Sequence, residues 1–264
     1  MSYQKLKKQI IKQSRNLYLA FLVMVFTCFE VQAQTIRIAA AANTQFVMDS
    51  IKKVFEKNHG DNIELIINSS GKLTAQIKHG APYDLFLSAD MKYPQSIYQS
   101  GAALTPPKTY AYGQLVLWSQ GNNLLKQGLR SLKNPDIKTI AVANPETAPY
   151  GVATISALKK AGLYKSIKSK IVYGESISQV NQYFLLGVAD VAFTALSVVK
   201  SPSMQGKGQW ILIPDKDYAD IKQGVILLKH AKKQNLSEAK AFYNFLFSPK
   251  GKAIFKYFGY KIKN

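Results

Sequence analysis

The sequence predicts an α/β protein of two lobes, and three observations carry that expectation. Short apolar segments alternate with amphipathic ones along the chain, the pattern of βαβ units with mostly parallel sheets covered by helices. The alternation runs twice, once before Pro106-Pro107 and once after it. Two longer apolar segments, near 113–118 and 224–228, join the two series as a pair of hinge strands.

Taken in order, 36–40 reads as a strand. Val47, Ile51, Val54 and Phe55 then share one helical face, with Lys52, Lys53, Glu56 and Lys57 opposite. A strand over 63–67, a short helix over 73–79, a strand over 84–88 and a helix near 93–100 complete the first series. One long strand over 113–118 leads away from it. The second series is a strand over 139–143, a helix over 150–161, a strand over 170–173, a helix over 176–186 and a strand over 188–194. The strand at 224–228 leads to two C-terminal helices with Phe242, Phe245, Leu246, Ile254, Phe255 and Phe258 on their apolar faces. These helices are expected to return to the first lobe. The implied division is 34–113 with 229–264 for the first lobe and 114–228 for the second.

Composition bounds the chemistry. A chain of 264 residues that is 47% hydrophobic and 19% charged can bury a core, which excludes a disordered polypeptide. The single cysteine, Cys28, excludes a disulfide framework, and the histidines (His59, His79, His230) have no metal-ligand spacing. Residues 1–16 carry Lys5, Lys7, Lys8, Lys12 and Arg15 with no acid. An apolar run over 17–29 follows, then Glu30-Val31-Gln32-Ala33. This is the layout of a secretory signal peptide cleaved near Ala33. A retained anchor needs a longer apolar run, and lipidation at Cys28 meets a bulky Thr27.

Of the 35 basic and 15 acidic residues, the signal takes five and one, so 30 against 14 remain, net +16. The rest is an exported basic protein. Its lysines (Lys52, Lys57, Lys159, Lys168, Lys232, Lys252) are spread over many helices rather than gathered with aromatics into a stripe, which argues against a nucleic-acid partner. An enzyme acting on an anionic substrate finds no Gly-x-Ser-x-Gly elbow, His-Glu-x-x-His or Gly-rich phosphate loop. Asp84, at a strand start, and Asp90, before a helix, read as structural carboxylates.

Four junctions between strands and helices share one character. They are Ala41-Ala42-Asn43-Thr44, Asn68-Ser69-Ser70-Gly71-Lys72, Asn144-Pro145-Glu146-Thr147-Ala148-Pro149-Tyr150-Gly151 and Gly174-Glu175-Ser176-Ile177-Ser178. All lie at the C-terminal ends of strands, where open α/β sheets bind ligands. Each opens a helix whose first N–H groups lack intrahelical partners and carry partial positive charge. Several such starts aimed at one cleft make an anion site without a cationic side chain. Taken singly, the Ser, Thr and Asn residues there also fit plain helix caps.

The stretch Ser69-Ser70-Gly71-Lys72-Leu73, with Gln76-Ile77 and Gly80-Ala81-Pro82-Tyr83-Asp84-Leu85-Phe86-Leu87-Ser88-Ala89-Asp90, is the most specific signal. The alanine run ending in Asn43, Ala148-Pro149-Tyr150-Gly151, Gly174-Glu175-Ser176-Ile177-Ser178-Gln179 and Phe258-Gly259-Tyr260 accompany it. In these segments, in order over the chain after residue 33, the sequence resembles the periplasmic molybdate-binding proteins of ABC importers, the ModA family. The resemblance implies a type II periplasmic-binding-protein fold that closes on a tetrahedral oxyanion. It also implies no catalytic residue, no cofactor, molybdenum held as molybdate rather than as a metal ion, an inner-membrane ABC permease as partner, a periplasmic location and a monomer.

Carried over by motif, the ligand positions are Ala42, Asn43, Ser70, Tyr150 and Ile177. Ser70 offers hydroxyl and amide, and Asn43 its amide and side chain. Ala42, Tyr150 and Ile177 act through backbone N–H. Many family members place Ser or Thr at the Ala42 position and Tyr at the Phe193 position. This chain resembles a subgroup with an alanine-rich segment ending in Asn and a Pro-Tyr-Gly turn, in which Asn43 and Tyr150 offset those losses.

Molybdate and tungstate are dianions without a proton near neutral pH, so they accept hydrogen bonds and donate none. Amides and hydroxyls in a desolvated cleft match them. Hydrogen phosphate keeps a proton and calls for a carboxylate acceptor; Glu146 and Glu175 lie near the junctions but are read as facing away. Sulfate has the same charge and shape with shorter bonds, so it stays the alternative ligand and its rejection depends on cavity size.

Overall fold

The computed structural model describes residues 35–121 and 125–263, so the expectations for the signal segment and Cys28 fall outside the described residues. The first series runs β1 (Thr35–Ala41), α1 (Gln45–His59), β2 (Asn62–Asn68), α2 (Ser70–Lys78), β3 (Leu85–Leu87), α3 (Lys92–Gln99) and β4 (Lys108–Gly113). The second runs β5 (Leu115–Ser119), β6 (Ile140–Ala143), α4 (Pro149–Lys160), α5 (Tyr164–Ile167), β7 (Ile171–Gly174), α6 (Ile177–Leu185), β8 (Val191–Ala195), α7 (Leu196–Val199) and β9 (Gln209–Leu212). β10 (Ile221–Leu227), α8 (Leu236–Phe247) and α9 (Pro249–Tyr257) close the chain.

Two five-stranded mixed sheets result, ordered β2-β1-β3-β10-β4 and β7-β6-β8-β5-β9. Each sets three parallel strands beside an antiparallel pair of neighbours. Each is flanked by helices, giving the two-lobed architecture that the sequence predicts.

The joins between lobes differ from expectation. The single long strand over 113–118 is two strands in different sheets: β4 ends the first and β5 enters the second, with only Gln114 between them. The run at 224–228 is likewise no hinge. β10 begins at Ile221 and pairs with both β3 and β4, so the return crossing lies between Leu212 and Ile221. An apolar run buried in either sheet looks the same in one dimension, which is why the sequence misassigned it.

The periodicity in α1 is borne out with one adjustment: Val47, Met48, Ile51 and Phe55 are buried, and Gly60 ends the helix in the left-handed conformation (φ +75°) that a glycine cap adopts without strain. The C-terminal helices do return to the first lobe. Phe55 packs edge-on against Phe242 and Phe245 of α8, and the Tyr110 ring of β4 lies tilted against that of Phe255 of α9.

Candidate functional site

The four junctions follow β1, β2, β6 and β7, and a helix starts after each. Ala42–Thr44 forms a short 3-10 turn that runs into α1. Ser70 and Ile177 are the first residues of α2 and α6, and Tyr150 is the second residue of α4 behind Pro149, a proline position that needs no N–H. These starts converge on one small cavity, with about 10 Å³ of room for the centre of a water-sized sphere. Ala41, Ala42, Asn43, Ser69, Ser70, Ala89, Ala148, Pro149, Tyr150 and Ile177 line it. All five residues singled out by motif are therefore in one place, and each is at least 97% buried. The room inside is of the order that a single small group occupies.

Capping and the first helical turn fall to neighbouring residues. Ser69 caps α2 by accepting from Lys72 N, and Ser176 caps α6 by accepting from Gln179 N. The residues after them, Ser70 and Ile177, stand in the first turn, where N–H groups have no helical acceptor. Ser70 Oγ accepts from Ala89 N at 3.0 Å, which leaves its own hydrogen to donate. Among the described residues no Lys, Arg, His, Asp or Glu lines the cavity.

Behind Asn43 lies a buried polar network. Asn43 Nδ2 donates to Gln223 Oε1 and to Tyr260 Oη, each at 3.1 Å. Tyr110 Oη donates to Gln223 Oε1 at 2.6 Å, and Gln223 Nε2 donates to Tyr150 Oη at 3.3 Å. Ser197 of α7 donates to Asn43 O at 2.8 Å. The ladder between β10 and β4 slips between Gln223 and Gly224, pairing Gln223 with Ala111 and Gly224 with Thr109. That bulge re-aims the side chains beside it, here Gln223 and Tyr110 toward each other. Gly113, where β4 ends, must lack a side chain because its Cβ would collide with Tyr150 Oη and Gln223 Nε2. Burial, ahead of the neighbouring phenols, pushes the Tyr110 and Tyr150 hydroxyls well above the usual tyrosine range, so both stay neutral.

At the rim the lobes touch directly. Gly71 N donates to Thr147 O at 2.9 Å, Tyr93 Oη to Glu146 O at 3.0 Å and Ser178 Oγ to Gln45 Oε1 at 3.1 Å. Lys72 forms an ion pair with Glu175. Gly71 permits the approach, since a Cβ there would stand 3.0 Å from Thr147 Cα and O.

Residues 36–261 match the bacterial extracellular solute-binding protein family. The chain belongs to that family. Within it, the molybdate-binding protein ModA of Azotobacter vinelandii is 35% identical over 234 residues, 88% of this chain and 92% of that protein. ModA of Rhodobacter capsulatus is 35% identical over 223 residues, 84% of this chain and 86% of that one. The solved periplasmic molybdate-binding protein of Azotobacter vinelandii superposes with a TM-score of 0.82 at 31% identity, covering 87% of this chain and all of that one.

In this member of the solute-binding family, Phe193 is buried in the second-lobe core opposite Leu117 and does not line the cavity. Glu175 turns to Lys72, and Glu146 is exposed and meets Tyr93 through its backbone oxygen. Asp84 accepts from Arg37 N, Asn235 Nδ2 and His230 Nδ1, and Asp90 accepts from Tyr93 N and Ser88 Oγ. Both carboxylates are engaged in holding the fold. Residue-level reading missed Gln223, Tyr110 and Ser197. A lone Gln inside the apolar strand around 221–228 was the available signal.

Proposed function

We propose that this protein is an extracytoplasmic solute-binding protein that captures molybdate, and tungstate with it, and delivers the oxyanion to an inner-membrane ABC permease. One observation carries the reading: four helix starts, two from each lobe, converge on a small cavity lined by neutral donors. Such a lining suits an anion that only accepts hydrogen bonds. Among the described residues no carboxylate is there to receive the proton of hydrogen phosphate. The ligand contacts on this reading are the N–H groups of Ala42, Asn43, Ser70, Tyr150 and Ile177 with the Ser70 hydroxyl. None of them does catalysis, and the protein needs no cofactor.

The two lobes supply donors to the same anion, so binding favours the closed pair of lobes over any open one. The rim contacts from Gly71, Lys72 and Tyr93 belong to that closed state, which the permease receives. Export to the periplasm through the segment before residue 34, and action as a monomer, complete the reading. The lysines steer a dianion toward the cleft rather than bind it.

Calorimetric titration of the mature chain with molybdate, tungstate, sulfate and phosphate tests this. Tight binding of the two heavy oxyanions, with sulfate and phosphate far weaker, is the expected result. Binding of neither heavy oxyanion refutes it, and a preference for sulfate reassigns the ligand.

A further inference from the structure

We propose that Gln223 is a positioning residue for ligand capture: it orients the Asn43 amide so that Nδ2 faces the cavity, and it ties that orientation to the Tyr150 phenol on the other lobe. The inference deepens the oxyanion reading above and rests on it. It starts from one atom. Asn43 is 1% exposed, and its Oδ1 is buried without a hydrogen-bond partner among the described residues. A buried acceptor left unpaired is costly and calls for an explanation.

The oxygen and nitrogen of a carboxamide have nearly the same shape, so the same heavy-atom positions admit two hydrogen-bond patterns. In the first, Asn43 Nδ2 donates to Gln223 Oε1, and Gln223 Nε2 donates to Tyr150 Oη. This pattern has two faults. It strands Asn43 Oδ1, an acceptor on a residue that lines a cavity suited to an acceptor-only anion. It also points an N–H donor at Tyr150 Oη and leaves the phenol hydrogen without an acceptor in the pair.

Turning both amides together removes both faults. Gln223 Nε2 then donates to Asn43 Oδ1 across the same 3.1 Å and to Tyr110 Oη across the same 2.6 Å. Tyr110 passes its hydrogen to Ser88 O at 3.3 Å. Tyr260 donates to Asn43 Oδ1, and Tyr150 donates to Gln223 Oε1 across 3.3 Å. The end of Asn43 that had no partner now carries two N–H groups, which an oxyanion satisfies. Neither amide turns alone: Asn43 alone would set oxygen against oxygen, and Gln223 alone would set two NH₂ groups face to face. The Tyr150 phenol thus transmits the position of the second lobe, through Gln223, to a donor on the first.

Two measurements on the mature chain test this. In the first, sodium molybdate is titrated into wild type, Gln223→Met, Gln223→Glu, Asn43→Ala and the Gln223→Met/Asn43→Ala double variant, with thermal melts to establish folding. Gln223→Met is expected to weaken binding about tenfold, and Gln223→Glu, which accepts but cannot donate, more than that. With Asn43 already Ala, Gln223→Met is expected to change affinity by less than about twofold, because the effect runs through Asn43. Equal fold losses in both backgrounds, or none in Gln223→Met, overturn the proposal. The second measurement needs no ligand. In ¹⁵N-labelled protein the Gln223 side-chain amide protons are expected to show cross-relaxation to the Tyr110 ring; cross-relaxation to the Tyr150 ring instead overturns the proposal. Wild type that ignores molybdate defeats the oxyanion reading, while the amide signals still decide the orientation of Gln223.

Discussion

The two walls of the cavity present donors by different means. On the proposed reading the first lobe offers side-chain donors: the Ser70 hydroxyl, fixed by Ala89 N, and the Asn43 amide in its turned orientation, backed by Gln223 and Tyr260. On the same reading the second lobe offers backbone N–H groups in the first turns of α4 and α6. There the side chains have other work. Ile177 joins the core of its own lobe, and the Tyr150 phenol crosses to Gln223. One wall is written in residue identity and the other in where a helix begins. Substitutions that spare one wall should therefore damage the other.

The sharpest break of this comparison is at Ile177. Ser176 is extended (φ −151°, ψ 169°), as a residue before proline must be, and Ile177 opens α6, where proline fits a helix. Ile177→Pro therefore removes one N–H while leaving the helix intact. Loss of a hydrogen bond to a charged group predicts binding weaker by about 3 kcal/mol in a molybdate titration, together with a lowered melting temperature from the buried side-chain volume that proline does not replace. Ile177→Val, which keeps the N–H, is expected to bind within about twofold of wild type. If Val hurts and Pro does not, the second wall acts through its side chain after all.

Ser70→Ala comes next and probes the opposite wall. It removes a hydroxyl donor and leaves the buried Ala89 N–H without its acceptor. A loss of about 2 kcal/mol in affinity is expected, together with a lowered melting temperature, since the orphaned N–H also burdens the unliganded fold. Unchanged affinity reduces Ser70 to a helix-start residue and leaves the Asn43 amide as the side-chain donor of that wall.

The same contrast explains what the sequence disclosed. The cavity residues were legible because Ser, Asn, Pro and Gly cluster at strand ends, where local chemistry is visible in one dimension. Tyr110, Ser197 and Gln223 were not, because three distant segments bring them together and no spacing marks the meeting. The passage from β4 to β5 was hidden for a related reason: a single residue, Gln114, separates strands of two sheets inside one apolar run. The start of α2 was read three residues late, because Ser70-Gly71-Lys72 is a weak helical opening that depends on the Ser69 cap. β9 was missed because an edge strand with mostly exposed residues lacks the alternation of a half-buried one.

The smallest effect is expected where the walls meet water. Lys72 and Glu175 join the lobes at the rim, with side chains 39% and 64% exposed, so solvent screens the pair and its worth lies within about 1 kcal/mol. Because the partners sit on different lobes, the contact contributes only when the lobes are together, and its loss should appear in ligand affinity rather than in melting temperature. Lys72→Met keeps the aliphatic stem beside the cavity and removes the charge. It is expected to weaken molybdate binding by a few tenths of a kcal/mol to about 1 kcal/mol at low salt, and by less as ionic strength rises. Titrations at two salt concentrations measure that difference. A loss as large as that of Ser70→Ala, undiminished by salt, would make Lys72 a third kind of donor and place a cation in a site built here from neutral groups.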